Sequence, residues 1–127
     1  MTRSFRLTFF VATLIVLVSV LPVQNVPKLN VPLSDKIGHF VAYTGFALIF
    51  LYDYVRHFRW SKRLTRSLIV VAPICIGFGI LMEFIQAIPF INRHFELLDM
   101  LANSIGVAIG SLVFSLVYIP LKKLHIK

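Results

Sequence analysis

Ionisable and amide side chains recur at helical spacing in a chain that is otherwise strongly apolar. They form three groups along the sequence: Asp35, His39 and Tyr43, then Glu83 and Gln86, then Asp99 and Asn103. Residues three or four apart share one face of an α-helix, so each group predicts a polar stripe on its own helix. Carboxylates, imidazoles and amides bind polar ligands and transfer protons, which makes these stripes candidates for one functional site.

The helices that must hold these side chains are predicted from the composition. Hydrophobic residues make up 58% of the 127 residues and charged residues 14%, against about 25% charged in a soluble domain. Four apolar runs cover residues 7–23, 37–55, 68–90 and 97–119, each close to the roughly 20 residues that a membrane-spanning helix needs. The sequence predicts one domain over residues 1–127, an all-α integral membrane four-helix bundle. A soluble domain, a disordered chain and, because Cys75 is the sole cysteine, an intrachain disulfide scaffold are excluded.

The distribution of basic residues predicts the orientation of the bundle. Ten of the 13 lysines and arginines lie before the first run, between the second and third, or after the fourth. Lysine and arginine are retained on the cytoplasmic side during insertion, so both termini are expected in the cytoplasm. The first run could also be a signal peptide, but it lacks the small-residue cleavage pattern, so a retained span is expected. The net charge of +8 does not indicate nucleic acid, which needs a basic face on a soluble fold.

The expense of placing charge in hydrocarbon favours a functional role for Glu83. An acidic residue at the centre of a spanning helix costs about 2.5–3.5 kcal/mol, so Glu83 is expected to face inward with a partner. Its expected partners are the cations Lys36, His39 and Arg93 and the hydrogen-bonding residues Tyr43, Gln86 and Asn103. At 1.5 Å per residue Glu83 lies about 10 Å below the outer end of its run, so we expect a polar pocket open to the outside. The alternative is simple helix packing, which Asn103 with Gly106 and Gly110 would also serve.

The order and spacing of these residues resemble one known family. The pattern is Asp35-Lys36-x-x-His39-x-x-x-Tyr43, Glu83-x-x-Gln86, Arg93 and Asp99-x-x-x-Asn103-x-x-Gly106-x-x-x-Gly110. It is similar to that of the VanZ-like proteins over about residues 33 to 112. The resemblance implies a multi-pass protein of the bacterial cytoplasmic membrane with a role in the cell envelope. It also implies reduced susceptibility to teicoplanin-type glycopeptides, because the family includes an accessory protein of glycopeptide-resistance clusters.

Two functions follow as hypotheses. In the first, the pocket binds a membrane lipid headgroup or a lipid-linked cell-wall intermediate, and its ligand-binding residues are Asp35, Lys36, His39, Tyr43, Glu83, Gln86, Arg93, Asp99 and Asn103. In the second, the protein is an intramembrane hydrolase or transferase with Glu83, Asp99 and His39 as its catalytic residues. No serine or cysteine lies in a recognisable nucleophile motif, so the second hypothesis would use an activated water.

Four of the polar residues are of types that can bind a metal ion. Asp35, His39, Glu83 and Asp99 could bind a metal, but they are scattered along the sequence without a short metal-binding spacing. We therefore predict no metal and no cofactor. A homo-oligomer stays open, because four short helices enclose little volume.

Overall fold

Four α-helices make up most of the protein. The computed structural model describes residues 5–21, 34–60, 63–88 and 96–126, with only the backbone described for residues 34, 35, 125 and 126. The helices are α1 (Arg6–Val20), α2 (Ser34–His57), α3 (Leu64–Gln86) and α4 (Leu97–Ile126). These ranges contain no β-strand, so the all-α prediction is confirmed for them.

The helix ends differ from the predicted apolar runs. The third helix ends at Gln86 instead of residue 90, because Pro89 disfavours helical conformation in the residue before it. Glu83 therefore lies three residues, about 4.5 Å, from the end of its helix, and the predicted depth of about 10 Å was wrong. The fourth helix continues to Ile126 beyond the predicted residue 119, since helical hydrogen bonds do not require apolar side chains.

The closest approach between helices joins α2 to α4. A Cβ atom added at Gly106 would lie 2.5 Å from the carbonyl oxygen of Phe40, and one added at Gly110 would lie 2.7 Å from that of Thr44. Both distances are shorter than van der Waals contact, so only glycine lets the two backbones pack this closely. The predicted packing role of these two glycines agrees with this arrangement.

One end of the bundle is closed by large side chains and by helix caps. Trp60 and Phe114 are fully buried there, and Tyr118 packs against both rings. Helix α2 ends in a Schellman motif, with the Trp60 N–H bonded to the Val55 carbonyl and Arg59 in the left-handed conformation that glycine usually provides.

Helix α1 is anchored at this same end by a residue from its neighbour. The backbone N–H of Thr8 and its hydroxyl both donate to Asp53 Oδ2, at 2.9 and 2.8 Å. Phe5 at the N-cap position supplies no side-chain hydrogen bond, so Asp53 satisfies an N–H group that the first turn leaves free.

The outer surface of the bundle is apolar. Helices α3 and α4 are long and apolar enough to cross a membrane, and the most apolar segment of each is only 28% buried. Large side chains such as Ile69, Phe84 and Leu116 point outward, as expected for a surface that contacts hydrocarbon. Helix α1 has 15 residues and α2 carries more polar side chains, so crossing by all four helices and the orientation of the termini stay predictions.

We expect Gly106→Ala to destabilise the fold by about 1–3 kcal/mol, because the added methyl group would clash with backbone that cannot rotate away. The measurement is the thermal midpoint of unfolding in detergent. Gly45→Ala on α2 is the matched control, since a Cβ at Gly45 meets nothing within 4 Å. Equal midpoints for the two variants would contradict the close packing of α2 on α4.

Candidate functional site

Polar side chains of three helices meet at the end of the bundle opposite Trp60 and Phe114. Helix α2 begins there, α3 ends there and α4 begins there. Glu96 directly precedes α4, and its carbonyl oxygen accepts hydrogen bonds from the N–H groups of Asp99 and Met100. Because α3 runs antiparallel to the parallel helices α2 and α4, His39, Glu83 and Asp99 come together although they are far apart in sequence. We call Lys36, His39, Glu83, Glu96, Asp99 and Asn103 the polar cluster.

His39 lies between two residues of α4. Its Nδ1 is 2.9 Å from Asn103 Oδ1, and because an amide oxygen can only accept, Nδ1 donates this hydrogen bond. Its Nε2 is 3.6 Å from Asp99 Oδ2. The imidazole is therefore held by the amide on one side and faces a carboxylate on the other.

Glu83 is the most unusual member of the cluster. Its side chain is fully buried, and neither carboxylate oxygen has a hydrogen-bond partner among the described residues. The backbone N–H of Glu96 lies near it without completing a hydrogen bond. Its Oε1 lies 3.9 Å from His39 Nδ1, which already donates to Asn103. Burial without hydrogen bonds is unfavourable for a carboxylate, so the described residues leave an ionised Glu83 poorly stabilised.

Lys36 neutralises part of the acidic charge at the mouth of the cluster. Its ammonium lies 2.6 Å from Glu96 Oε2 and 3.2 Å from Asp99 Oδ1. Lys36 precedes the apolar part of α2, and its hydrogen bond to Glu96 raises its pKa above the ordinary value. The lysine therefore stays protonated and links the start of α2 to the start of α4.

The inner boundary of the cluster is formed by Tyr43, Gly79 and Asn103. Tyr43 and Asn103 are both almost fully buried. A Cβ atom at Gly79 would lie 3.1 Å from Tyr43 Cε1 and 3.2 Å from Asn103 Nδ2. The absence of a side chain at Gly79 thus lets the tyrosine and the amide pack directly on α3, one helical turn below Glu83.

The predicted site residues do not all join the cluster. Lys36, His39, Glu83, Asp99 and Asn103 come together, and Tyr43 lies beneath them. Gln86 points to α1 instead, where its Nε2 donates to the Ser19 carbonyl oxygen at 3.3 Å. The side chain of Asp35 and the whole of Arg93 lie outside the described residues.

Two residues of this region were not predicted. Glu96 lies in a polar segment between two apolar runs, and the one signal for it is its spacing of three from Asp99. Gly79 lies in an apolar run that also contains Gly77, and the sequence does not distinguish the glycine in contact from the one with open space around it.

Comparisons with known proteins agree with the spacing of these residues. The family model described as VanZ/LLP1 matches residues 2–118, which extends the similarity through the first helix. An uncharacterized protein of Schizosaccharomyces pombe is 33% identical over 89 residues, which cover 68% of this chain and 50% of that protein. The chain thus spans about half the length of this relative. No solved structure matches the chain.

We expect a double-mutant cycle to detect the hydrogen bond between His39 and Asn103. His39→Phe and Asn103→Leu should show a coupling of about 1 kcal/mol in the free energy of unfolding, the typical net value of one hydrogen bond. The control cycle pairs His39→Phe with Ser104→Ala, because the Ser104 hydroxyl donates to Met100 on its own helix. A coupling no larger than that of the control cycle would contradict the described geometry.

Proposed function

The chain belongs to the VanZ/LLP1 family, and we propose that this member is a multi-pass protein of the bacterial cytoplasmic membrane whose polar cluster binds a lipid headgroup. The headgroup would belong either to a membrane lipid or to a lipid-linked cell-envelope intermediate. The observation that carries the proposal is the fully buried Glu83, which has no hydrogen-bond partner among the described residues and lies beside His39 and Asp99. Ionisable groups at membrane depth mark ligand and ion sites more often than they stabilise a fold.

The two ends of the bundle support an outward-facing cluster. Seven described lysines and arginines lie at or near the end opposite the cluster, namely Arg6, Arg56, Arg59, Arg63, Arg66, Lys122 and Lys123. Under the rule that positive charge stays inside, that end would face the cytoplasm and the polar cluster would face outward. A ligand reaching the cluster would then come from the outer leaflet.

The fission yeast relative favours a ligand that is not peculiar to bacterial cell walls. Fungi make no peptidoglycan, whereas phospholipids are common to both kinds of cell. If the two proteins share a function over the matched half of the relative, a lipid headgroup is the ligand available to both. Reduced teicoplanin susceptibility would then be a consequence of headgroup binding at the outer surface, where the bound lipid or intermediate limits access of the drug.

We expect saturable binding of one lipid per chain, measured by native mass spectrometry of the purified protein in detergent. The added lipids are phosphatidylglycerol, phosphatidylethanolamine and a polyprenyl phosphate. Lys36→Met should weaken binding of an anionic lipid about tenfold, because a charge-assisted hydrogen bond is lost. Lys122→Met, which removes a lysine near the opposite end of the bundle, should bind like the wild type.

The lipid that binds most tightly of the three shows whether the ligand is a membrane lipid or resembles a lipid-linked intermediate. A bacterial host that expresses the wild type should also become less susceptible to teicoplanin than one that expresses Lys36→Met at the same level. Equal affinities of the Lys36→Met and Lys122→Met variants, or adducts that never saturate, would contradict the proposal.

A second candidate function, hydrolysis or group transfer on a lipid-linked substrate, is favoured by the position of His39. Asn103 fixes Nδ1 and leaves Nε2 facing Asp99, which is an arrangement suited to a general base that activates water. Glu83 would then supply or accept the second proton.

Glu83→Gln separates the two functions, because it nearly preserves shape and removes proton transfer. An enzyme should lose at least a hundredfold in turnover of a lipid-linked phosphate, while its affinity for the lipid, measured in the presence of a chelator, changes by no more than about twofold. Turnover is measured as phosphate or alcohol release from vesicles that contain the polyprenyl phosphate. Equal release by the wild type and by Glu83→Gln would exclude Glu83 as the acid or base.

A further inference from the structure

We propose that His39, Glu83 and Asp99 form a binding site for one divalent transition-metal ion such as zinc. Each residue comes from a different helix, and one ligand atom from each lies within 4.8 Å of the other two. Around an ion with bonds of about 2.1 Å, tetrahedral ligand atoms are about 3.4 Å apart. Small side-chain rotations would therefore bring the three atoms to bonding distance without moving the helices.

The second and independent observation is the unsatisfied carboxylate of Glu83. Both oxygens are buried and have no hydrogen-bond partner among the described residues. Oε1 lies 3.9 Å from His39 Nδ1, so the Glu83 side chain would have to rotate to meet an ion bound at Nε2. A cation between the three residues would give this carboxylate the partner that no described residue provides. A protonated Glu83 requires no ion, and the comparison of zinc binding by the wild type and by Glu83→Gln distinguishes it from a metal site.

The neighbours of the three residues are arranged as the outer shell of a metal site usually is. The Nδ1–H of His39 donates to Asn103 Oδ1, which fixes the tautomer and leaves the lone pair of Nε2 available. Lys36 contacts Asp99 Oδ1, which leaves Oδ2, 3.6 Å from His39 Nε2, to face the ion. An imidazole with two carboxylates suits zinc, manganese or iron better than calcium or magnesium, which prefer oxygen ligands.

The excess of negative charge in the cluster also favours a bound cation. Glu83, Glu96 and Asp99 contribute three carboxylates, and the described residues place one ammonium, that of Lys36, in contact with the cluster. An anionic headgroup that binds through Lys36 would therefore meet repulsion from the carboxylates, and a bound divalent ion with open coordination positions would offset that repulsion. This link to the ligand rests on the proposed function, but the metal site itself does not.

The test is zinc binding to the full-length protein in detergent, without added lipid. After the protein is stripped with a chelator, calorimetry with zinc chloride alone should show one site per chain, and magnesium chloride should show none. Glu83→Gln and His39→Gln should each weaken zinc binding more than a hundredfold. Asn103→Leu, which removes an outer-shell partner, should weaken it about 10- to 100-fold. His57→Gln, at the opposite end of α2, is the matched control and should bind like the wild type.

Several outcomes would overturn the metal site. The absence of saturable zinc binding by the wild type, or an unchanged affinity in Glu83→Gln, would leave Glu83 as a protonated acid. Because a variant could lose zinc through misfolding, each is also compared by helical circular dichroism and gel filtration. The visible absorption of cobalt added to the wild type gives a second readout, and a spectrum identical to that of free cobalt would count against the site.

The metal site and the proposed function can fail separately. Zinc binding at one site per chain, together with lipid binding that is unchanged by the chelator, would support the metal site and remove its link to the headgroup. Zinc binding with no saturable lipid binding would support the metal site and contradict the headgroup function. Lipid binding without any zinc binding would support the headgroup function and contradict the metal site.

Discussion

The close packing of α2 on α4 determines where the polar side chains of the cluster lie. Gly106 and Gly110 let the α4 backbone touch the carbonyl groups of Phe40 and Thr44. Because the two helices run parallel, this contact aligns the start of α2 with the start of α4, and His39 reaches both Asp99 and Asn103. A helix separation larger by the width of a methyl group would lengthen each of these contacts. The glycines that allow close packing and the polar residues therefore depend on the same helix contact. A packing role and a functional role for Asn103, Gly106 and Gly110 do not exclude each other.

Glu83 is held in the cluster by a helix that packs less closely. Helix α3 lies against α4 where Gly79 accommodates Tyr43 and Asn103, and Glu83 follows one turn later on the same face. Fold stability alone would favour an apolar residue or a hydrogen-bonded amide at this position, since a buried carboxylate without a partner is unfavourable. A residue that opposes stability while its surroundings are well packed is typical of a binding site, in which the missing partner is the ligand.

The length of the apolar runs predicted the four helices. Helical periodicity, together with the penalty for charge in hydrocarbon, predicted a convergence of polar side chains, which five of the site residues show. Gln86 shows the limit of that reasoning. Residues three apart differ by about 60° around a helix, which is enough for Glu83 to face α2 and α4 while Gln86 faces Ser19 of α1.

Other features depend on contacts that periodicity does not encode. Nothing in the sequence marks Arg59 as the left-handed residue that ends α2, because glycine or asparagine is the usual signal. The sequence predicted no metal site because the candidate ligands are far apart along the chain, but the fold brings one ligand atom from each of three of them within 4.8 Å of one another.

The separation of charge between the two ends connects the topology of the bundle with its chemistry. The chain carries a net charge of +8, yet the described part of the polar cluster holds three carboxylates and one lysine. The described lysines and arginines that could balance these acids are concentrated toward the other end of the bundle. The helices between the two ends, α2, α3 and α4, are 23 to 30 residues long. A helix of 23 residues spans about 35 Å, several times the Debye length of about 8 Å at physiological ionic strength. Those distant charges therefore cannot neutralise the cluster, and the balance has to come from protons, from the segment that contains Arg93, or from a cation that enters from outside.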